Sequence, residues 1–147
     1  MNADQQLLAK TAALLILLGL LTGPLIAAAT TAQISANSDM MVAAHLNALL
    51  GGFWMLGMGW TLPFCTLSEK QRRVMLYSVI LANYSNWFWT VIKSFFDVHA
   101  IAITESTPNN SLFALLTGLV VLPSFLAGGL WVWGLFRKSS KETPHGL

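Results

Sequence analysis

The placement of charge constrains this chain more than any other feature. It has 147 residues with only 8 Lys+Arg and 6 Asp+Glu. These leave four long stretches with no charge: Thr11–Ser38, Met40–Ser68, Val74–Ile92 and Ser106–Phe136. The shortest holds 19 residues, and a helix needs about 20 to cross a hydrocarbon core roughly 30 Å thick. The pattern predicts an all-α, integral membrane bundle of four transmembrane helices, at 7–29, 41–66, 73–96 and 110–136. They form one domain over 1–138, followed by a flexible cytoplasmic tail at 139–147. The connections are too short for a soluble domain, so any chemistry takes place inside the bundle.

Orientation follows from the cations, because short loops rich in Lys and Arg stay on the cytoplasmic side. Lys10, then Lys70, Arg72 and Arg73, then Arg137, Lys138 and Lys141 fall at the N-terminus, the second loop and the C-terminus. Both termini are therefore expected in the cytoplasm, with a bacterial inner membrane as the location. The net charge of +2 is explained by orientation and indicates no nucleic acid partner. Ala27–Ala29 also suits a signal-peptide cleavage site, but the uncharged stretch before it is too long for a usual apolar core. It reads as a retained first span, with Gly19 and Gly23 as a small-residue pair for close packing and Pro24 bending its outer end. The segment Ser68–Arg73 reads as a tight inner turn.

Polar groups within membrane helices are costly and face the protein interior, so they are the place to seek function. Asn83, Asn86, Thr90, Lys93 and Asp97 are spaced 3, 4, 3 and 4, which puts them on one helical stripe. Two readings stand. The stripe is interhelical glue, with Lys93 paired to Asp97, or it is the polar wall of a site. Tyr84, Trp87 and Trp89 flank it, as packing or as a surface for a flat aromatic. In the fourth helix Asn110, Thr117, Ser124 and Trp131 recur every seven residues and are expected to contact the third. Trp60, Trp131 and Trp133 fit an interfacial aromatic belt.

His45 is the one histidine within an apolar span, about one turn into the second helix. It is either a hydrogen-bonded structural residue or a ligand, since neutral imidazole is a common axial ligand of haem iron. Ala44, Ala48 and Gly52 leave a bare helix face that would seat either another helix or a flat ring. The single Cys65 excludes an intrachain disulfide and a thiolate cluster. Within the spans there is no phosphate-binding glycine loop, no Ser/His/Asp order and no carboxylate of the kind a proton-coupled exporter needs. A two-histidine haem electron carrier is disfavoured as well.

Together, Leu17–Gly23, Ala44-His45-Leu46, the basic segment Leu67–Arg73, Tyr84-Ser-Asn-Trp87 and Trp133-Gly-Leu135 resemble the small four-helix hydroxylaminobenzene mutases and, more distantly, styrene oxide isomerase. The resemblance implies an isomerase that moves a group within one substrate: an arylhydroxylamine to the ortho-aminophenol, or an aryl epoxide to an aldehyde. It implies a homotrimer holding haem b through His45, with Ala48 and Gly52 beside the cofactor and the iron as a Lewis acid. Asn86, Asn83 and Tyr84 become the catalytic candidates. Trp87, Thr90 and Asn47 become substrate-binding candidates, Asn47 only if its helix is rotated. Two positions depart from the epoxide enzymes, with Gly51 where they tend to have Asn and Thr90 matching a tyrosine. Both departures speak against epoxide isomerisation, and the Tyr84-Ser-Asn-Trp87 form and the short loops favour the mutase branch. The alternatives are an epoxide isomerase and a non-enzymatic haem-binding membrane subunit.

Overall fold

The computed structural model describes residues 1–138, so the expected tail lies outside the described residues. Within them the regular structure is helical: α1 (Ala3–Thr30), α2 (Ser38–Thr61) with a 3-10 turn at Leu62–Phe64, α3 (Glu69–Phe96), α4 (Thr107–Leu116), a π-helical segment at Thr117–Val121, and α5 (Leu122–Phe136). The last three pieces run on as one apolar helix, Thr107–Phe136. The chain is therefore a four-helix, all-α structure, as expected.

Capping chemistry moves two boundaries from their predicted positions. The Asn2 side chain accepts from the Gln5 backbone N–H while the Gln5 side chain accepts from Asn2, a reciprocal pair that starts α1 before residue 7. Ser68 and Gln71 make the same box at the start of α3. The basic segment expected as a turn is thus the first turn of α3, and the real connection is the strap Cys65–Leu67. The Thr66 N–H donates to the Gly134 carbonyl at 2.7 Å. A Cβ at Gly134 would stand 2.8 Å from Leu67 Cγ, so the missing side chain is what admits the strap.

Three of the four helices are long and apolar enough to cross a membrane: Ala3–Thr30, Ser38–Phe64 and Thr107–Phe136. The expected fourth span, α3, is not among them. Its uncharged centre is long enough at 19 residues but too polar, since it holds Asn83, Asn86 and Thr90, while four charged residues sit in its first turn and a half. What α3 lacks in apolarity it gains in enclosure, because it packs on α1, α2 and the fourth helix. Leu8, Ala12 and Leu15 from α1, Ala48, Met55 and Met58 from α2, Met75, Leu76 and Val79 from α3 and Ala127 from α5 make the buried core. The Asp4–Arg72 ion pair at 2.6 Å and the Thr66–Gly134 bond bring both ends of the described chain to the same end of the bundle.

At the opposite end the expected Lys93–Asp97 pair is replaced by two other contacts. Asp97 caps α3 in the left-handed region, at φ 50°, so the helical spacing that would align it with Lys93 stops there. Lys93 Nζ donates to the His99 carbonyl at 2.9 Å, and Asp97 Oδ1 accepts from Asn37 Nδ2 at 2.7 Å. Pro24 leaves α1 continuous through Thr30.

Candidate functional site

The first helix contributes no residue to the site expected from sequence, yet it holds three of that site's side chains. His45 Nδ1 lies 2.7 Å from the Gly19 carbonyl. A carbonyl can only accept, so Nδ1 carries the proton, and in the neutral imidazole Nε2 is the nitrogen with the lone pair. Tyr84 donates its hydroxyl to the Thr11 carbonyl at 2.8 Å. Trp87 Nε1 donates to Thr22 Oγ1 at 3.0 Å, and that hydroxyl donates onward to the Leu18 carbonyl. Only Thr22 left a trace in the sequence, as a polar residue in an apolar run. Backbone carbonyls leave none.

Across the α2–α3 seam Asn47 meets the polar stripe with no rotation of its helix. Its Nδ2 is 3.3 Å from Asn86 Oδ1 and 3.4 Å from Thr90 Oγ1. Thr90 is buried and the two amides are half-buried. Asn86 Nδ2 and Asn47 Oδ1 make no hydrogen bond among the described residues. They are an amide donor and an amide acceptor still available to a ligand.

Asn83 takes the structural role. Its Nδ2 donates to the Val79 carbonyl of its own helix at 2.8 Å, and its carboxamide lies against Gly51. A Cβ at Gly51 would overlap Asn83 Oδ1 and stand 2.9 Å from Asn83 Cγ, so the bare backbone of Gly51 is what receives this amide.

The small face of α2 likewise seats a helix. Ala48 is fully buried, and a Cβ on Gly19 would come within 2.8 Å of Ala48 Cβ. Gly52 faces Ile16 and the Ala12 carbonyl of α1. Ala48 and Gly52 are therefore occupied by α1, and no open face is left there for a flat ring, contrary to the cofactor role expected for them. Gly19 supports the close approach, whereas Gly23 has nothing within 4 Å. His45, at the margin of this seam and nearly two turns into α2, is half-buried, next to exposed Leu46 and Val42.

The fourth helix packs on α3 as expected, but the side-chain hydrogen bonds of its sevenfold stripe go elsewhere. Asn110 binds Thr104 of the outer loop, Thr117 returns to the Phe113 carbonyl, and Trp131 Nε1 donates to Thr61 Oγ1 at 2.9 Å. The π-helical segment Thr117–Val121 lies inside the stripe, and its wider turn rotates the later residues out of register with the earlier ones. Trp131 is half-buried, while Trp60 and Trp133 are well exposed.

Among the described residues no three His, Cys, Asp or Glu side chains gather as a metal site. The Nδ1–H to carbonyl bond is the usual outer-shell arrangement of a ligating histidine. Half-buried His45 would therefore suit haem iron as a single nitrogen donor through Nε2.

A family model described as styrene oxide isomerase matches residues 4–136. Hydroxylaminobenzene mutase HabB of Ectopseudomonas oleovorans is 27% identical over 128 residues, which covers 82% of this chain and 74% of that protein. No solved structure matches the chain. The resemblance read from the His45, Leu67–Arg73 and Tyr84–Trp87 segments is thereby borne out at the level of the family.

Proposed function

The chain belongs to the styrene oxide isomerase family, and from that premise we propose that it is a membrane isomerase converting an arylhydroxylamine, such as hydroxylaminobenzene, to the 2-aminophenol. The likeness to HabB supports the substrate class. The observation that carries the reading is the neutral cluster of Asn47, Asn86 and Thr90. Such a cluster offers hydrogen bonds but no strong acid or base, which suits a rearrangement that consumes neither water nor electrons.

In the proposed reaction the N–O bond breaks and a C–O bond forms at the ortho carbon. The ring proton leaves that carbon and a proton returns to nitrogen, so substrate and product are isomers. Asn86 Nδ2 donates to the migrating oxygen, and Asn47 Oδ1 accepts from the substrate N–H. Asn47 also holds the Asn86 carboxamide in place. Trp87, fixed by Thr22, bounds the aromatic ring, and the apolar helices keep water from the electron-poor ring while the oxygen moves.

Haem b is the proposed cofactor and His45 the residue that would hold it. When bound, ferric haem supplies a Lewis acid for the substrate oxygen. A homotrimer is the proposed assembly, in which a second copy covers the open side of His45. The proposed location is a bacterial inner membrane with both ends of the described chain on the cytoplasmic side, a reading supported by the cations Lys10, Lys70, Arg72, Arg73, Arg137 and Lys138 near that end.

Membranes containing the chain should turn hydroxylaminobenzene into 2-aminophenol, with an ¹⁸O label on the hydroxylamine kept in the product. Unchanged substrate, under conditions where HabB membranes convert it, refutes the proposal. The family model favours one second reading, an epoxide isomerase, and the same membranes producing phenylacetaldehyde from styrene oxide would select it. Inactivity on both substrates, with a stoichiometric partner on gentle extraction, would select a haem-binding subunit instead.

A further inference from the structure

At the end of the bundle that holds both ends of the described chain, the first turns of α3 face outward over a hollow of about 510 Å³. It is lined by Glu69, Lys70, Arg73, Val74, Tyr77 and Ser78. The charges around it are unevenly matched. Arg72 is paired with Asp4 and Arg73 with Glu69, whereas Lys70 has no carboxylate partner among the described residues. The Tyr77 hydroxyl and the Ser78 hydroxyl also make no hydrogen bond among them. An ammonium and two hydroxyls thus lie along this face without an internal acceptor, the ammonium next to a helix N-terminus whose dipole adds partial positive charge.

The same face continues as apolar surface. Val74 is 37% exposed, Tyr77 64% and Leu81 45%, at helical spacing directly beyond Lys70. From Val74 to Leu81 the helix rises about 10 Å, within the roughly 15 Å that one leaflet contributes to the hydrocarbon core. A ligand that matches the whole face has an anionic head at Lys70, further acceptor oxygens below it for the Tyr77 and Ser78 hydroxyls, and an apolar tail lying along Val74 and Leu81.

We propose that this face binds an anionic phospholipid, with the phosphate at Lys70 and an acyl chain along α3. Charge complementarity selects the anionic head, and the continuous aliphatic strip selects a lipid over a free phosphate. The site also answers a need of the fold, since α3 is the helix too polar to count as a span by itself. A lipid held on its outer face gives it the apolar cover that α1, α2 and the fourth helix give its other faces.

The test uses the detergent-purified full chain and native mass spectrometry, titrated with phosphatidylglycerol and with phosphatidylcholine of equal chain length. Phosphatidylglycerol should bind at concentrations at least about tenfold lower. The double variant K70Q/Y77F should lose that preference while keeping the wild-type circular dichroism spectrum, and S78A should weaken it without affecting the fold. K10Q, which removes a cation of α1 outside the hollow, should keep it. Equal binding of the two lipids overturns the proposal, as does an undiminished preference in both K70Q/Y77F and S78A, or an equal loss in K10Q. Displacement of the lipid by glycerol phosphate at matching concentration also overturns it, because the site would then read a phosphate alone.

Discussion

Replacing Gly52 by Ala separates the two roles open to the small face of α2. A Cβ at this position would overlap Ile16 Cγ1 and stand 2.9 Å from Ile16 Cδ1 and 3.2 Å from the Ala12 carbonyl oxygen. Carbon atoms pack best at about 3.5–4.0 Å, so the Cδ1 contact alone is short by about 0.6 Å or more. Ile16 is β-branched and has little rotamer freedom inside α1, and the Ala12 carbonyl belongs to the helix itself. Relief therefore requires α1 to move away from α2. Overpacking of this kind costs about 1–3 kcal/mol, offset by up to about 1 kcal/mol from the better helix propensity of Ala. Gly57 is the internal control, on the same helix, where an added Cβ would meet nothing within 4 Å, so Gly57→Ala has the propensity gain and no clash. The expected gap between the two variants is about 2 kcal/mol, or roughly a 30-fold difference in the folded-to-unfolded ratio. Reversible denaturation of both variants in the same detergent measures it, and Soret absorbance per folded chain shows whether haem is retained. Gly52→Ala as stable as the wild type, or Gly57→Ala falling equally far, would refute the close packing of α1 on Gly52. Normal stability with lost haem would restore Gly52 to the cofactor.

His45→Ala should abolish the Soret band of protein purified after growth with a haem precursor, while His99→Ala should leave it unchanged; equal haem content in the two removes the ligand assignment. Asn86→Leu should keep the helical spectrum and lose turnover of hydroxylaminobenzene, whereas Tyr84→Phe should keep turnover and lose about 1 kcal/mol of stability with its bond to the Thr11 carbonyl. The opposite pattern would make Tyr84 the catalytic group. Asp4→Asn removes the partner of a part-exposed Arg72 and should cost no more than about 1 kcal/mol, a difference that shrinks as salt is raised during the melt.

The number and order of the helices were legible because charge is excluded from long apolar segments, and the few charges present were enough to punctuate them. The helix boundaries were less legible, because Asn2–Gln5 and Ser68–Gln71 are polar pairs that look like loop while serving as caps. The stripe on α3 was read correctly as far as Thr90. Spacing then failed at Asp97, where the backbone leaves the helix and its period no longer applies. It failed on the fourth helix for a related reason, since a π-helical segment breaks the period. The part played by α1 was least visible, because Gly19 and Thr11 act through carbonyls that every residue possesses.

Subtraction narrows the site further than spacing could. A helix as polar as α3 joins an apolar bundle only if its polar groups find partners, and most of them do. Asn83 bonds the Val79 carbonyl, Tyr84 the Thr11 carbonyl and Trp87 the Thr22 hydroxyl. Those bonds account for these residues as structure. Asn86 and Asn47 satisfy each other only in part, through one N–H and one carbonyl oxygen. Each keeps an amide atom unengaged among the described residues, and His45 keeps Nε2 in the same way. All three residues are half-buried, so these atoms remain within reach of a ligand. The stripe therefore divides by its bonds. Asn83, Tyr84 and Trp87 fix α3 in place, and under the proposed function Asn86 and Asn47 are the groups left to hydrogen-bond a substrate beside the Trp87 ring, while His45 faces Gly19 of α1 rather than this cluster.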